Sequence, residues 1–140
     1  MNYLESFCLL SGRALLGLYF ILPGLQKITN FEAMSQYMEA HNVPLFPVLL
    51  IVTIIIQLVA GAALIVGYRG NVAAFVLAGL TLVISLYMHN FWAMEESVAR
   101  GHEMQNFVKN MAIMAGLLVV AALGTGNFSL DSRSARTIRS

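Results

Sequence analysis

The sequence predicts an all-α integral membrane protein, a four-transmembrane-helix bundle with a short interfacial helix between the first two spans. Three observations carry this. Of its 140 residues 59% are hydrophobic and only 11% charged, with a mean hydropathy of +0.76, whereas soluble domains run at roughly 45–50% apolar and 25% charged because they need a solvated shell. The charged residues fall outside four long apolar stretches, and four helices of about 20 residues, each able to cross roughly 30 Å of hydrocarbon, occupy well over half the chain. The stretches show no strand-like alternation, so their backbone polar groups are to be satisfied within helices. A single membrane domain over residues 1–140 is expected.

The first span covers about residues 6–28, interrupted by Arg13 and closing on Pro23, Gly24, Gln26 and Lys27. Met1 to Ser6 lack a basic n-region, and the apolar run ends in Leu-Pro-Gly without a small-residue cleavage site, so this helix is expected to be retained. Thr29-Asn30-Phe31-Glu32 fits a capping box, and Phe31, Met34 and Met38 then repeat at helical spacing opposite Glu32, Ser35, Gln36 and Glu39. An interfacial helix follows, ended by Val43-Pro44 because the residue before proline is pushed out of the α region. Residues 45–67 form the second span, without a charge and with only Thr53 and Gln57 as polar side chains. A tight link at Tyr68-Arg69-Gly70-Asn71 leads to the third span, about 72–92. A Glu-rich connection, Ala93 to Gln105, precedes the fourth, about 107–123, and a basic tail covers 124–140.

Charge sets orientation and removes whole classes of function. With four spans the termini share a side, which holds Arg13, Arg69, Arg133, Arg136 and Arg139 against Glu5 and Asp131. The other side holds Lys27, Arg100 and Lys109 against five glutamates. Lys and Arg are retained in the cytoplasm, so both termini are expected there, in a bacterial inner membrane. The formal charge of +1 offers no field for nucleic acid. One cysteine, Cys8, rules out an internal disulfide, a CxxC redox pair and a thiolate metal cage. Bis-His haem ligation needs a second histidine within the bundle, and His41 and His102 fall in predicted loops. Paired Glu-x-x-His segments for di-iron are missing too, and no metal is expected.

Helical spacing gathers Arg13, Gly17, Phe20, Gly24 and Lys27 on one stripe, Thr53, Gln57 and Gly61 on a second, and Thr81, Ser85 and His89 on a third. The pairs Ala63/Gly67, Ala74/Ala78 and Ala112/Gly116 suit close helix packing. Gln26 and Lys27 end the first helix outward, His89 and Asn90 end the third, and Lys109 and Asn110 open the fourth. These six converge on one level and frame an expected ligand pocket. Pro23 in the first helix also frees a backbone carbonyl, tolerated in a membrane only where protein or water re-satisfies it. The plainer alternative makes Lys27, Lys109 and Trp92 interface anchors and His89 a helix cap. With two ammonium groups nearby, His89 is expected to be neutral at pH 7. On the terminal side Arg13 is expected to form a structural ion pair with Asp131, although a snorkelling anchor explains a guanidinium there as well.

The segment from Arg13 to Lys27, then Gln36 to Val43-Pro44, Phe107-Val-Lys-Asn-Met111 and Gly124-Thr-Gly-Asn-Phe-Ser-Leu-Asp131, together resemble the DoxX family of small bacterial membrane proteins over nearly the whole chain. Arg13, Gly24, Lys27, His89, Lys109, Asn110 and Asp131 match that family's pattern. The resemblance implies a redox-associated role, since DoxD-type relatives belong to a thiosulfate:quinone oxidoreductase. The chain has no intrinsic cofactor motif, so electron transfer would use a bound quinone or a partner's cofactor. Three readings follow. One is a quinone-interacting redox subunit, an oxidoreductase component if catalytic; one is a non-catalytic accessory or assembly subunit of a larger membrane complex; one is a small transporter, for which paired broken helices in two related halves are missing. The partners expected are the lipid bilayer and proteins of a membrane redox complex, and a homo-oligomer stays open.

Overall fold

The computed structural model describes residues 2–137, with side chains as far as Ser134. Its elements are α1 (Tyr3–Thr29), α2 (Phe31–Ala40), α3 (Phe46–Val66), α4 (Gly70–Met88), a 3-10 turn (Phe91–Ala93), α5 (Val98–Leu123) and α6 (Leu130–Thr137). Four are long and apolar enough to cross a membrane: α1, α3, α4 with the 3-10 turn, and α5. No strand occurs among the described residues. The protein is a four-span helical bundle with the short α2 between its first two spans.

Packing runs α1 on α3, α3 on α4, and α4 on α5, while α1 and α5 meet only lightly. α1 and α3 approach most closely where a Cβ on Gly17 would come within 2.7 Å of the Gly61 carbonyl oxygen. Backbone contact of this kind gives dispersion that lipid cannot match. Of the small pairs expected from sequence, Ala74 and Ala78 are buried in the core, whereas a Cβ on Gly116 would find only Leu16 near it. Phe20, Leu64, Leu77, Leu117 and Val120 fill the main core. A second cluster, Met38, Val43, Leu50 and Ile54, lies where α2 packs on α3.

Several boundaries differ from the sequence expectation. The start of α2 is no capping box at Thr29: its N-cap is Asn30, without a side-chain cap bond, and the Thr29 hydroxyl donates back to the Gln26 carbonyl. The helix stops before Val43-Pro44, because Asn42 turns left-handed at φ 53° and the Val43 N–H closes onto the Met38 carbonyl. Asn reaches that region more readily than most residues. The fourth span begins at Val98, about two turns earlier than apolarity suggests, with Ser97 accepting the Arg100 N–H as N-cap. These first turns are polar, so hydropathy cannot mark them. His102 is therefore helical. Residues 124–137 are more than a tail: they fold back onto the α3–α4 turn and end in α6. Arg139 and the side chain of Arg136 lie outside the described residues.

Candidate functional site

The loose α1–α5 seam opens into a cavity of about 270 Å³, walled by α1, α3, α4 and α5 and covered by Met34, Tyr37 and Met38 of α2. Lys27, His89, Lys109 and Asn110, four of the six residues expected from sequence, line it. Gln26 and Asn90 do not; the Gln26 side chain is exposed, and Asn90 caps the 3-10 turn by position alone. Apolar Phe20, Pro23, Leu50, Ile84 and Met88 form the waist.

At the α2 end, Lys27 makes no hydrogen bond or ion pair with the described residues. Lys109 donates to the Asn106 side chain at 3.2 Å. His89 is not enclosed by cations alone. Its Nδ1 lies 2.6 Å from Glu103 Oε2, a contact that is an ion pair only when the imidazole is protonated. A carboxylate only accepts, so Nδ1 carries the proton, and a neutral His89 keeps Nε2 as an acceptor. The sequence does not single out Glu103, because Ala93 to Gln105 reads as a loop; the helix from Val98 is what brings it to His89. Glu103 also acts on Tyr37, whose phenol is held above its ordinary pKa first by burial and then by that negative charge.

The inner wall carries a hydrogen-bond chain whose direction is fixed from its far end. The Thr81 carbonyl can only accept, so Ser85 donates to it at 2.6 Å. Ser85 then accepts from Asn110 Nδ2 at 3.1 Å, which leaves Asn110 Oδ1 to accept the Tyr19 hydroxyl at 3.0 Å. Thr81 in turn donates to the Leu77 carbonyl at 2.7 Å. Serine and threonine can close back on their own helix in this way where water is scarce. Gln57, also in the wall, is only 4% exposed, and its amide oxygen has no partner among the described residues. Among the described residues no group of three or more His, Cys, Asp or Glu could hold a metal ion.

At the opposite end Arg13 and Asp131, the expected ion pair, make no contact within 4.0 Å, although Asp131 acts on Arg13 electrostatically; the hydrogen bonds of both go to backbone, Arg13 Nε reaching the Leu9 carbonyl at 3.4 Å. Arg13 is fully buried and donates through Nη2 to the Phe128 carbonyl at 2.6 Å. Asp131 accepts the Arg69 N–H at 2.8 Å and the Gly70 N–H at 3.0 Å, capping α4 from 61 residues along the chain. Helix N-terminal amides lack intrahelical acceptors, and Arg69 itself sits at φ 44° without a side-chain cap. Asp131 thus neutralises a helix end, and Arg13 holds the loop that delivers it.

The family model that matches is DoxX, over residues 8–90. The chain belongs to the DoxX family. It is 34% identical over 131 residues to inner membrane protein YqjF of Escherichia coli K12, covering 94% of this chain and 95% of that one. Inner membrane protein YphA of the same organism is 30% identical, with 89% of each chain covered. A Surfeit locus protein 4 homolog of Drosophila melanogaster is 26% identical over 93% of this chain but only 42% of its own length. No solved structure matches.

Proposed function

We propose that this DoxX protein is a redox-associated subunit of the inner membrane that binds a quinone-type headgroup in the α1–α3–α4–α5 cavity, with both termini cytoplasmic. The observation that carries the reading is the cavity itself: Lys27, His89, Lys109 and Asn110 come from three different helices and line one space with the unpartnered Gln57. Polar groups at membrane depth are costly, so several around one unfilled volume suit a ligand better than packing. An apolar waist between polar ends fits a flat ring carrying polar groups at opposite edges, and Lys27 and Lys109 suit negative charge on a reduced ligand.

The test is binding of a short-chain quinone, its quinol, thiosulfate and sulfite to the full chain and to Lys27→Met and His89→Ala. Binding of the quinone pair, weakened about tenfold or more in either variant, is the expected result. Binding of the oxyanions alone makes the cavity an anion site. No binding of any of them leaves the accessory-subunit reading, with Lys27 and Lys109 as anchors. Orientation is tested by cysteines at the exposed positions Glu39 and Glu96 in a Cys8→Ser background. Both are expected to label from the periplasm, and labelling only from the cytoplasm overturns the orientation.

A further inference from the structure

The cavity's hydrogen-bonding capacity is unevenly distributed. At the α2 end donors predominate: the Lys27 ammonium has no partner among the described residues and Lys109 has only Asn106, beside the single acceptor left on His89 Nε2. Along α1, Tyr19 lies eight residues before Lys27, about 12 Å deeper at the helical rise. Here the hydroxyl protons are already committed. Tyr19 gives its proton to Asn110 and Thr81 gives its own to Leu77, so both present only lone pairs to the cavity they line. A third acceptor follows from covalent structure. Pro23 lies inside α1 and lacks an N–H, so the Tyr19 carbonyl four residues earlier has no helical donor. Thr53 and Gln57 are uncommitted and can serve either way, since a hydroxyl rotates and an amide carries both functions.

From this polarity we infer that the cavity selects the hydroxylated, reduced form of its ligand, a quinol, over the dicarbonyl quinone; the inference rests on the quinone-type reading above. A quinol directs one hydroxyl proton at the acceptors of the deep wall and offers its other oxygen to Lys27. A quinone meets those acceptors with a carbonyl, lone pairs against lone pairs, and must rely on Thr53, Gln57 or the second Asn110 amide N–H for a donor. A site that holds a hydroxyl by hydrogen bonds discriminates against a ligand lacking it, because its own polar groups are left unpaired.

The experiment compares dissociation constants of a short-chain benzoquinone and its quinol, under anaerobic conditions, for the full chain in lipid nanodiscs. The quinol is expected to bind about tenfold tighter, the scale of one or two net hydrogen bonds. Thr81→Val, which removes one deep acceptor while keeping side-chain size, is expected to reduce that ratio severalfold. Gln57→Leu, which takes away a donor that the quinone needs more than the quinol, is expected to weaken the quinone more and so to raise the ratio. A quinone bound as tightly as the quinol, or a ratio indifferent to Thr81→Val, overturns the selectivity while leaving quinone-type binding intact. Failure of both forms to bind overturns the reading beneath it, and the selectivity with it.

Discussion

The two ends of the bundle use polar residues in opposite ways. At the end carrying the termini, Arg13 and Asp131 satisfy the chain's own backbone, a loop carbonyl in one case and two helix-start amides in the other, with Arg13 Nη1 alone left buried without a partner among the described residues. At the α2 end, Lys27 and Gln57 stand in a cavity wall with no such partner. A buried polar group in a folded chain either holds the fold together or costs stability, and one retained at a cost has a use outside folding. Substitutions to apolar residues should therefore have opposite signs at the two ends.

The largest effect is expected at Gly67. It occupies φ +68°, and a Cβ there would run into Arg13 Nη1 and the Ser129 side chain. Gly67→Ala combines left-handed strain with overpacking and should cost about 3 kcal/mol in unfolding from detergent micelles. Arg13→Met comes next, at about 2 kcal/mol, because it strands the Phe128 carbonyl. Asp131→Ala, which uncaps α4, should lie nearer 1 kcal/mol, since the side chain is half-exposed. Equal stability of Arg13→Met and wild type would make the arginine a replaceable anchor and dissolve the contrast.

These residues also mark how far the sequence is legible. The helical stripe on α1 is where it was expected, with Arg13, Gly17, Phe20 and Gly24 all buried, because a 3.6-residue period and a lipid surround leave little freedom. Arg13 and Asp131 stood out as charges needing partners; Asp131 does act on Arg13 electrostatically, but the hydrogen bonds of both go to backbone groups. Backbone carbonyls and amides are present at every residue, so the sequence cannot say which is left open; Phe128 and Gly70 acquire that role from loop geometry. In the cavity, Lys27, His89 and Lys109 were visible as polar ends of apolar runs. Tyr19 was not, since a tyrosine two turns inside a span looks like ordinary packing until Asn110 of another helix is beside it.

Gln57→Leu carries the sign reversal. Removing an amide whose oxygen is buried without a partner should leave the ligand-free protein as stable as wild type or about 1 kcal/mol more stable, while ligand affinity falls. The same unfolding titration measures the first and calorimetry the second. A loss of stability on the scale of Arg13→Met would mean that Gln57 has a structural partner, and the two ends would then be alike.

The smallest effect expected lies at Tyr37, on the cover of the cavity. Its phenol is held above the usual range near pH 10 by burial and then by Glu103. A proton bound more tightly in the folded state contributes stability that is fully present below the unfolded pKa and is lost as pH rises through the folded one. The window is therefore alkaline, from about pH 10 upward. Because Tyr37 is 40% exposed, solvent screening keeps the contribution small. Tyr37→Phe should match wild type at neutral pH and lose stability less steeply above pH 10, and Glu103→Gln should shift the same limb in the same direction by removing the second cause. Parallel alkaline limbs in wild type and Tyr37→Phe would mean that α2 does not shield the phenol, so that the cavity is open to water where the quinone reading needs it covered.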